Sequence, residues 1–444
     1  MREELVLEAI QSLPLRFNPR SDIATGRFHL EAGSVAQDVV VAKGGCRVEA
    51  PDGSPDVTIS TDATTWLQID AGRITGLEAF AQRRLEIRGS IEKSLQFETM
   101  FDRSNGAEPG YSLERVSLGG VHMSALMMGD PAGEPLVLIH GLGASKASWL
   151  PVVPQLARRY RVIVPDLPGF GASSKPRGRY DAAFFADHVF RLMDMLGLPS
   201  ALVAGNSLGG RVSMEMAMAQ PERVNGIVCL CPAAAFSKRP FLKLVRLARP
   251  ELGIVASRMP RDQLRGAIRG LFASPDRLAD NWYDAAIDDF LDVWKSPRAR
   301  MAFFTAARNV YLDEPEGDEG FWMRLSMMKT PALYVYGARD QLISSRFAQR
   351  VQGCIPHAAV EVWDDCGHVP QLECTDRTLE TMTKFFGSIE HAQAVQRQGA
   401  SSAPGTRAPV VVVDFEHSYG FSFDPFQFGG LSPDVPGSPA EDGR

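Results

Sequence analysis

From residue 111 onward, short apolar runs alternate with longer segments of helical period. The runs cover residues 136–139, 161–164, 201–204, 226–230, 332–336 and 359–363. Between two of them, Phe185, Val189, Leu192, Met193 and Leu196 recur at spacings of three and four, as on a helix with one apolar stripe. Apolar strands alternating with helices predict a parallel sheet covered on both faces. Such sheets bind ligands at the carboxyl ends of their strands. Here those ends carry His140-Gly-Leu-Gly143, Pro165-Asp-Leu-Pro-Gly-Phe-Gly171, Gly205-Asn-Ser-Leu-Gly-Gly210, Gly337-Ala-Arg-Asp340 and Gly367-His368.

Residues 1–103 follow a different rhythm. A helix is predicted near residues 3–13, half-buried strands at 27–31, 38–42, 46–49, 56–60 and 85–88, and helices at 64–71, 76–82 and 90–101. Residues 104–110 read as a linker, and 111–390 as the strand–helix domain. Residues 233–325 interrupt its sheet pattern and read as a helical cap. Residues 391–444 are rich in Gly, Pro, Ser and Ala and read as a low-complexity, disordered tail. Within the tail stand a strand-like run at 410–413 and an aromatic cluster from Phe415 to Phe428, a segment able to add a strand to a partner.

The chain has 444 residues and a formal net charge of −6, which argues against nucleic acid as a partner. The charge is divided: −5 over residues 1–110, +2 over 111–390 and −3 over 391–444. The near-neutral centre hides a basic stretch. Residues 238–269 hold nine cations (Lys238, Arg239, Lys243, Arg246, Arg249, Arg258, Arg261, Arg265, Arg269) against Glu251 and Asp262. Within it, Phe241-Leu-Lys-Leu-Val-Arg-Leu-Ala-Arg249 sets a cation at every third residue against an apolar face, and a basic amphipathic segment of this kind allows peripheral contact with an anionic membrane. The plainer reading is a cap helix with its charged side in water, since Pro240 and Pro250 keep it short. The N-terminus lacks the pattern of a secretory signal, and the six scattered cysteines form no Cys-x-x-Cys pair. A cytoplasmic location is the expectation.

Gly205-Asn-Ser207-Leu-Gly209 fits Gly-x-Ser-x-Gly between an apolar strand and a helix-compatible segment. That context predicts a sharp turn that presents the serine hydroxyl free of its neighbours. Serine needs a base, and the base needs an orienting acid. His368 follows the last strand and Asp340 the one before it, with Asp364 and Asp365 as fallback acids. The end of the strand preceding Asp340 reads Cys231-Pro-Ala-Ala-Ala235 and offers no carboxylate. The N–H groups of Leu208 and Leu142 are the expected oxyanion donors. His140 reads as a loop-shaping residue, and Gly169-Phe-Gly171 as a structural turn that lacks the spacing of a phosphate loop.

Taken together, these motifs and Cys366-Gly-His-Val-Pro370 make residues 111–390 resemble an α/β-hydrolase. The resemblance implies an α/β fold, a doubly wound, mostly parallel sheet with a helical cap. It also implies catalytic Ser207, Asp340 and His368, the oxyanion pair Leu142 and Leu208, and no metal or organic cofactor. Gly205-Asn-Ser is similar to the meta-cleavage-product hydrolases that cut carbon–carbon bonds. Those carry an aromatic residue after the histidine, where Val369 stands here. Residues 1–103 resemble the sterol-carrier-protein type of lipid-binding domain. The likeness rests on Asp56-Val-Thr-Ile-Ser60, Trp66-Leu67, Gly76-Leu-Glu-Ala-Phe80 and Leu85-Glu-Ile-Arg-Gly89, and implies a small α+β domain with an apolar tunnel. The expected function is hydrolysis of a carboxylic ester or thioester of an apolar, lipid-like small molecule through an acyl-enzyme. Carbon–carbon hydrolysis, acyl transfer, or a lipid carrier with incidental hydrolysis are the alternatives. No part of the sequence specifies an oligomeric state.

Overall fold

The computed structural model describes residues 2–18, 25–106, 110–236, 242–247, 251 and 260–401. Strands β1 (Gly26–Ala32), β2 (Val35–Ala42), β3 (Gly45–Glu49), β4 (Val57–Thr61) and β5 (Leu85–Gly89) form one sheet in the order β3-β2-β1-β4-β5. Only the β1/β4 pair within it is parallel. Helices α1 (Arg2–Gln11), α2 (Ala63–Asp70), α3 (Gly76–Ala81) and α4 (Ile91–Thr99) back it. Three of them start on side-chain caps: Asp62 accepts from Thr64 and Thr65, Thr75 forms a capping box with Glu78, and Ser90 accepts from Lys93. Val6, Ile10, Trp66 and Phe97 close over Phe28, Leu30, Val39 and Ile59 in a core of their own.

A second sheet follows, in the order β13-β12-β11-β10-β8-β9-β7-β6. Its strands are β6 (Tyr111–Ser117), β7 (His122–Met128), β8 (Glu134–Ile139), β9 (Tyr160–Pro165), β10 (Ala201–Asn206), β11 (Val224–Leu230), β12 (Ala332–Gly337) and β13 (Ala359–Trp363). It is parallel from β13 to β9, with β7 and β6 added antiparallel. The β6–β7 hairpin escaped the sequence reading because it follows directly on the N-terminal module and alternates rather than running apolar. Helices α5 (Val153–Leu156), α6 (Ala182–Met195) and α7 (Leu208–Ala219) link the central strands. The cap lies between β11 and β12 and holds α8 (Leu242–Leu247), α9 (Arg261–Arg269), α10 (Asp280–Trp294), α11 (Pro297–Leu312) and α12 (Phe321–Ser326). Helices α13 (Phe347–Cys354), α14 (Pro370–Glu373) and α15 (Thr375–Ser401) complete the described chain, with α15 running past residue 390. Residues 410–413 and the aromatic cluster lie outside the described residues. No helix among the described residues is long and apolar enough to cross a membrane.

The helices of the N-terminal module share one apolar cluster with the larger domain. Leu77, Ile91 and Leu95 of the N-terminal module are buried with Trp149, Leu150 and Val153 of the larger domain. Each such side chain contributes about 1.5–3 kcal/mol on burial, which favours the packed arrangement. Residues 102–106, expected at the linker boundary, are partly tied down: Asp102 N–H donates to Arg16 and Ser104 N–H to Asp70. The cap's α10 lies along β5, the edge strand of the small sheet.

The cap also answers part of the charge question. On α9, Arg261 pairs with Asp288, Arg265 with Asp284, and Arg269 with Asp276 at 2.6 Å. Three of the nine cations therefore face acids of the cap itself. Lys238, Arg239, Arg249 and Arg258 lie outside the described residues.

Candidate active site

Ser207 sits on the turn from β10 to α7 with φ 55° and ψ −115°. A non-glycine residue reaches this left-handed region only at a cost in strain. The flanking glycines make the turn possible. A Cβ at Gly205 would lie 2.2 Å from the backbone of Gly209, and one at Gly209 would lie 2.1 Å from the Ile139 carbonyl. Leu208 opens α7, and the first N–H groups of a helix have no partner within it.

Asp340 and His368 meet although 28 residues separate them. His368 Nδ1 lies 2.7 Å from Asp340 Oδ2, with both side chains almost fully buried. Asp340 Oδ1 accepts from the N–H groups of Leu342 and Ile343, which fixes the carboxylate. The Asn206 side-chain amide donates to the His368 carbonyl at 2.9 Å and to that of Leu230 at 3.1 Å. The residue before Ser207 is thus tied to the loop carrying His368. Asp365 turns to Arg277 and Arg377 instead.

The 140–149 loop lies against Ser207: a Cβ at Gly141 would stand 3.3 Å from the Ser207 Cβ. His140 is fully buried, with Nδ1 2.8 Å from the Gly141 carbonyl and Nε2 accepting from the Leu167 N–H at 2.9 Å. Burial holds its imidazole below the usual pKa. This neutral ring shapes the loop, as its sequence context suggested. Leu142 is half-buried beside the core. Above it, a Cβ at Gly143 would lie 2.8 Å from Phe303 and 3.3 Å from Phe290. Phe290, Trp294, Phe303 and Phe304 of the cap pack ring against ring there. An apolar chain suits that roof better than a charged one.

Beneath this loop lies a charged junction that the sequence reading missed. Lys146, 1% exposed, binds Asp166 at 2.7 Å and Glu92 of the N-terminal module at 2.5 Å, and donates to Ser124 at 3.1 Å. Burial pulls the ammonium down, and the two carboxylates more than offset it, so it stays charged. Burial likewise pushes Asp166 up, while Lys146 draws it below its usual range. Asp166 also accepts from the Lys146 and Ala172 N–H groups. The signal lay in Pro165-Asp, whose aspartate ends a buried strand, but its partner is 20 residues away and on another loop.

The cap touches the same junction through Asp289, which accepts from Ser145 Oγ at 3.1 Å. Burial, helped by the charge of Asp166, pushes the Asp289 carboxyl up to about 6. A carboxyl raised on folding costs stability when ionised, and the cost grows as pH rises from the unfolded value near 4 to 6. Asp289→Asn should therefore melt higher than the parent above pH 6 and no differently at pH 4. Melting curves across that range check it; a gain confined to pH 4 rejects the shift.

In the N-terminal module, a cavity of about 90 Å³ lies between the sheet and α4. Ile59, Trp66, Phe80, Ile87 and Phe97 line it, and Leu150 of the larger domain closes one side. Its polar edge is Glu98, bound to Arg103 at 2.9 Å and to the Gly76 N–H at 2.9 Å. Burial pushes the Glu98 carboxyl up against the pull of Arg103.

The comparisons accord with this anatomy. Residues 134–374 match the family described as alpha/beta hydrolase fold, and residues 23–102 the SCP-2 sterol transfer family. Lipase 1 of Psychrobacter immobilis is 30% identical over 281 residues, covering 60% of this chain and 80% of the lipase. The 2-hydroxymuconate semialdehyde hydrolase of Pseudomonas sp. (strain CF600) is 29% identical, covering 59% of this chain and 89% of its own. The solved 2-hydroxy-6-oxo-6-phenylhexa-2,4-dienoate hydrolase of Rhodococcus sp. strain RHA1 superposes with a TM-score of 0.51 at 24% identity, covering 62% of this chain and 98% of that one.

Proposed function

Because the chain belongs to the α/β-hydrolase family, we propose that it is a serine hydrolase that cleaves the ester or thioester of an apolar acyl group. The reading is carried by the buried 2.7 Å contact of His368 with Asp340, in a domain that also holds Ser207 on a strained strand-to-helix turn. In this mechanism the Ser207 hydroxyl attacks the substrate carbonyl. His368 takes its proton and later gives it to the leaving group. Asp340 holds the ring in the tautomer that leaves Nε2 free to accept, and it stabilises the imidazolium. The Leu208 and Leu142 N–H groups bind the oxyanion, and water releases the acyl group. The chemistry needs no metal and no organic cofactor.

The apolar lining of the cavity in the N-terminal module supports a lipid-like substrate or ligand. A carbon–carbon hydrolase is the second reading, favoured by the likeness to the 2-hydroxymuconate semialdehyde hydrolase; Val369, in place of the aromatic residue expected after the histidine, weakens it.

Two measurements on the intact protein test the proposal. A fluorophosphonate probe should label Ser207, and a fluorescent fatty acid should accept energy from Trp66. An unlabelled protein that still takes up the fatty acid would point to a lipid carrier and reject the hydrolase.

A further inference from the structure

Lys146 is held by three acceptors, and one of them belongs to the other domain. Its Nζ meets Asp166 at 2.7 Å, Ser124 Oγ at 3.1 Å and Glu92 at 2.5 Å. An ammonium has three N–H groups to give, so the set is complete. Ser124 and Asp166 belong to the larger domain, whereas Glu92 lies in the first turn of α4 in the N-terminal module. The other oxygen of Glu92 accepts from the Gln96 amide at 3.1 Å, which fixes the carboxylate on its own helix.

We propose that Glu92 is a positioning residue of the hydrolase: through Lys146 it sets the loop that presents Leu142 to the oxyanion, so the N-terminal module completes the active site.

The loop is short and tied at each step. The Ala144 N–H donates to the Gly141 carbonyl and closes the turn that holds Leu142. Ser145 then caps a 3₁₀ turn over Lys146–Trp149 by accepting from the Ala147 N–H. The Lys146 N–H donates to Asp166 at 2.7 Å. At the near end, a Cβ at Gly141 would stand 3.3 Å from the Ser207 Cβ. At the far end, Leu150 is buried with Ile91 and Leu95 of α4. Helix α4 therefore grips the loop twice, by charge at Lys146 and by apolar contact at Leu150. The cap holds the same loop from above, through Ser145 Oγ on Asp289 at 3.1 Å.

Loss of the Glu92 charge leaves the ammonium of Lys146, a residue 1% exposed, short of one of its three acceptors. A buried ion that loses a partner shifts toward the acceptors that remain or toward water. Lys146 follows Leu142 by only four residues, and the loop backbone moves with it. Oxyanion donors act by their placement. Losing one costs about 10²–10³ in kcat, and a misplacement of about 1 Å costs on the order of 100-fold. The oxyanion forms only as the carbonyl is attacked, so the loss falls on kcat and spares KM.

The test compares the full-length parent with Glu92→Gln and with Lys93→Gln. The second variant breaks the 2.6 Å Lys93–Asp56 pair of the same helix and leaves Lys146 untouched. Each protein is assayed on p-nitrophenyl butyrate and for inhibition by butylboronic acid, which forms a tetrahedral adduct with a serine hydroxyl. Glu92→Gln should lower kcat at least about tenfold at the parent's KM, and weaken butylboronic acid by the same factor. Lys93→Gln should match the parent in both. Hydrogen exchange reads the loop itself: peptides over residues 141–150 should exchange faster in Glu92→Gln than in Lys93→Gln. A parental kcat in Glu92→Gln, a loss confined to KM, an equal loss in Lys93→Gln, or unchanged exchange of the loop would each overturn the role. The role rests on the hydrolase reading, and the two fail differently. A parent that neither turns over the ester nor labels at Ser207 rejects that reading and the role with it, whereas an active parent beside a fully active Glu92→Gln rejects the role alone.

Discussion

Ser207→Ala should reduce kcat for p-nitrophenyl butyrate by at least about 10⁴-fold while leaving the melting temperature unchanged or slightly raised. The rate loss follows from removing the atom that forms the acyl bond; what survives is the contribution of binding and oxyanion donors, about 10³–10⁴-fold over water. The stability result follows from the +55° φ of Ser207, which alanine shares, and from a hydroxyl whose removal leaves the backbone bonds of Ser207 to Leu230, Arg211 and Ala233 in place. Asp340→Asn tests the same assembly from behind. It keeps the shape but loses the charge facing His368, and kcat should drop by about 10⁴. A Ser207→Ala protein that keeps near-parental kcat would remove Ser207 from the mechanism.

Asp166→Ala should destabilise the folded protein by about 3–5 kcal/mol, the usual cost of leaving a buried charge without its partner. Asp166 has no exposed surface, and its loss also strands the N–H groups of Lys146 and Ala172. Glu92→Gln should cost less, because Glu92 is 23% exposed and water can replace part of the interaction. Chemical-denaturation midpoints give both values; a loss below about 1 kcal/mol for Asp166→Ala would mean that the lysine finds water or another acceptor. The pH dependence has a definite sign. Asp166 titrates below its unfolded value, so its contribution is complete above about pH 4 and is lost as pH falls through the folded pKa.

The candidate site was legible because its chemistry is written locally. Ser207 announces itself by the glycines that its turn requires, and Asp340 and His368 each end a strand in the order the fold expects. The five strands of the N-terminal module were legible for the same reason, each a short alternating run between turns. What stayed hidden depends on distance in sequence. Lys146 and Glu92 are ordinary surface-type residues until the fold seals them together. Arg261, Arg265 and Arg269 counted only as part of a basic stretch because their partners Asp276, Asp280, Asp284 and Asp288 come later in the chain. Asn206 fills the x of Gly-x-Ser-x-Gly, yet its amide reaches 162 residues along to the His368 carbonyl, a tie that no local pattern encodes.

The course of α10 along β5 bears on how this chain can be re-engineered. Exchanging caps is a natural way to change what an α/β-hydrolase accepts. In this chain a cap taken from a relative without the N-terminal module would uncover the β5 edge and its row of unpaired N–H and C=O groups, a template for strand-to-strand aggregation. Cap and module are therefore a single cassette: a graft that moves one without the other trades a new specificity for an insoluble protein.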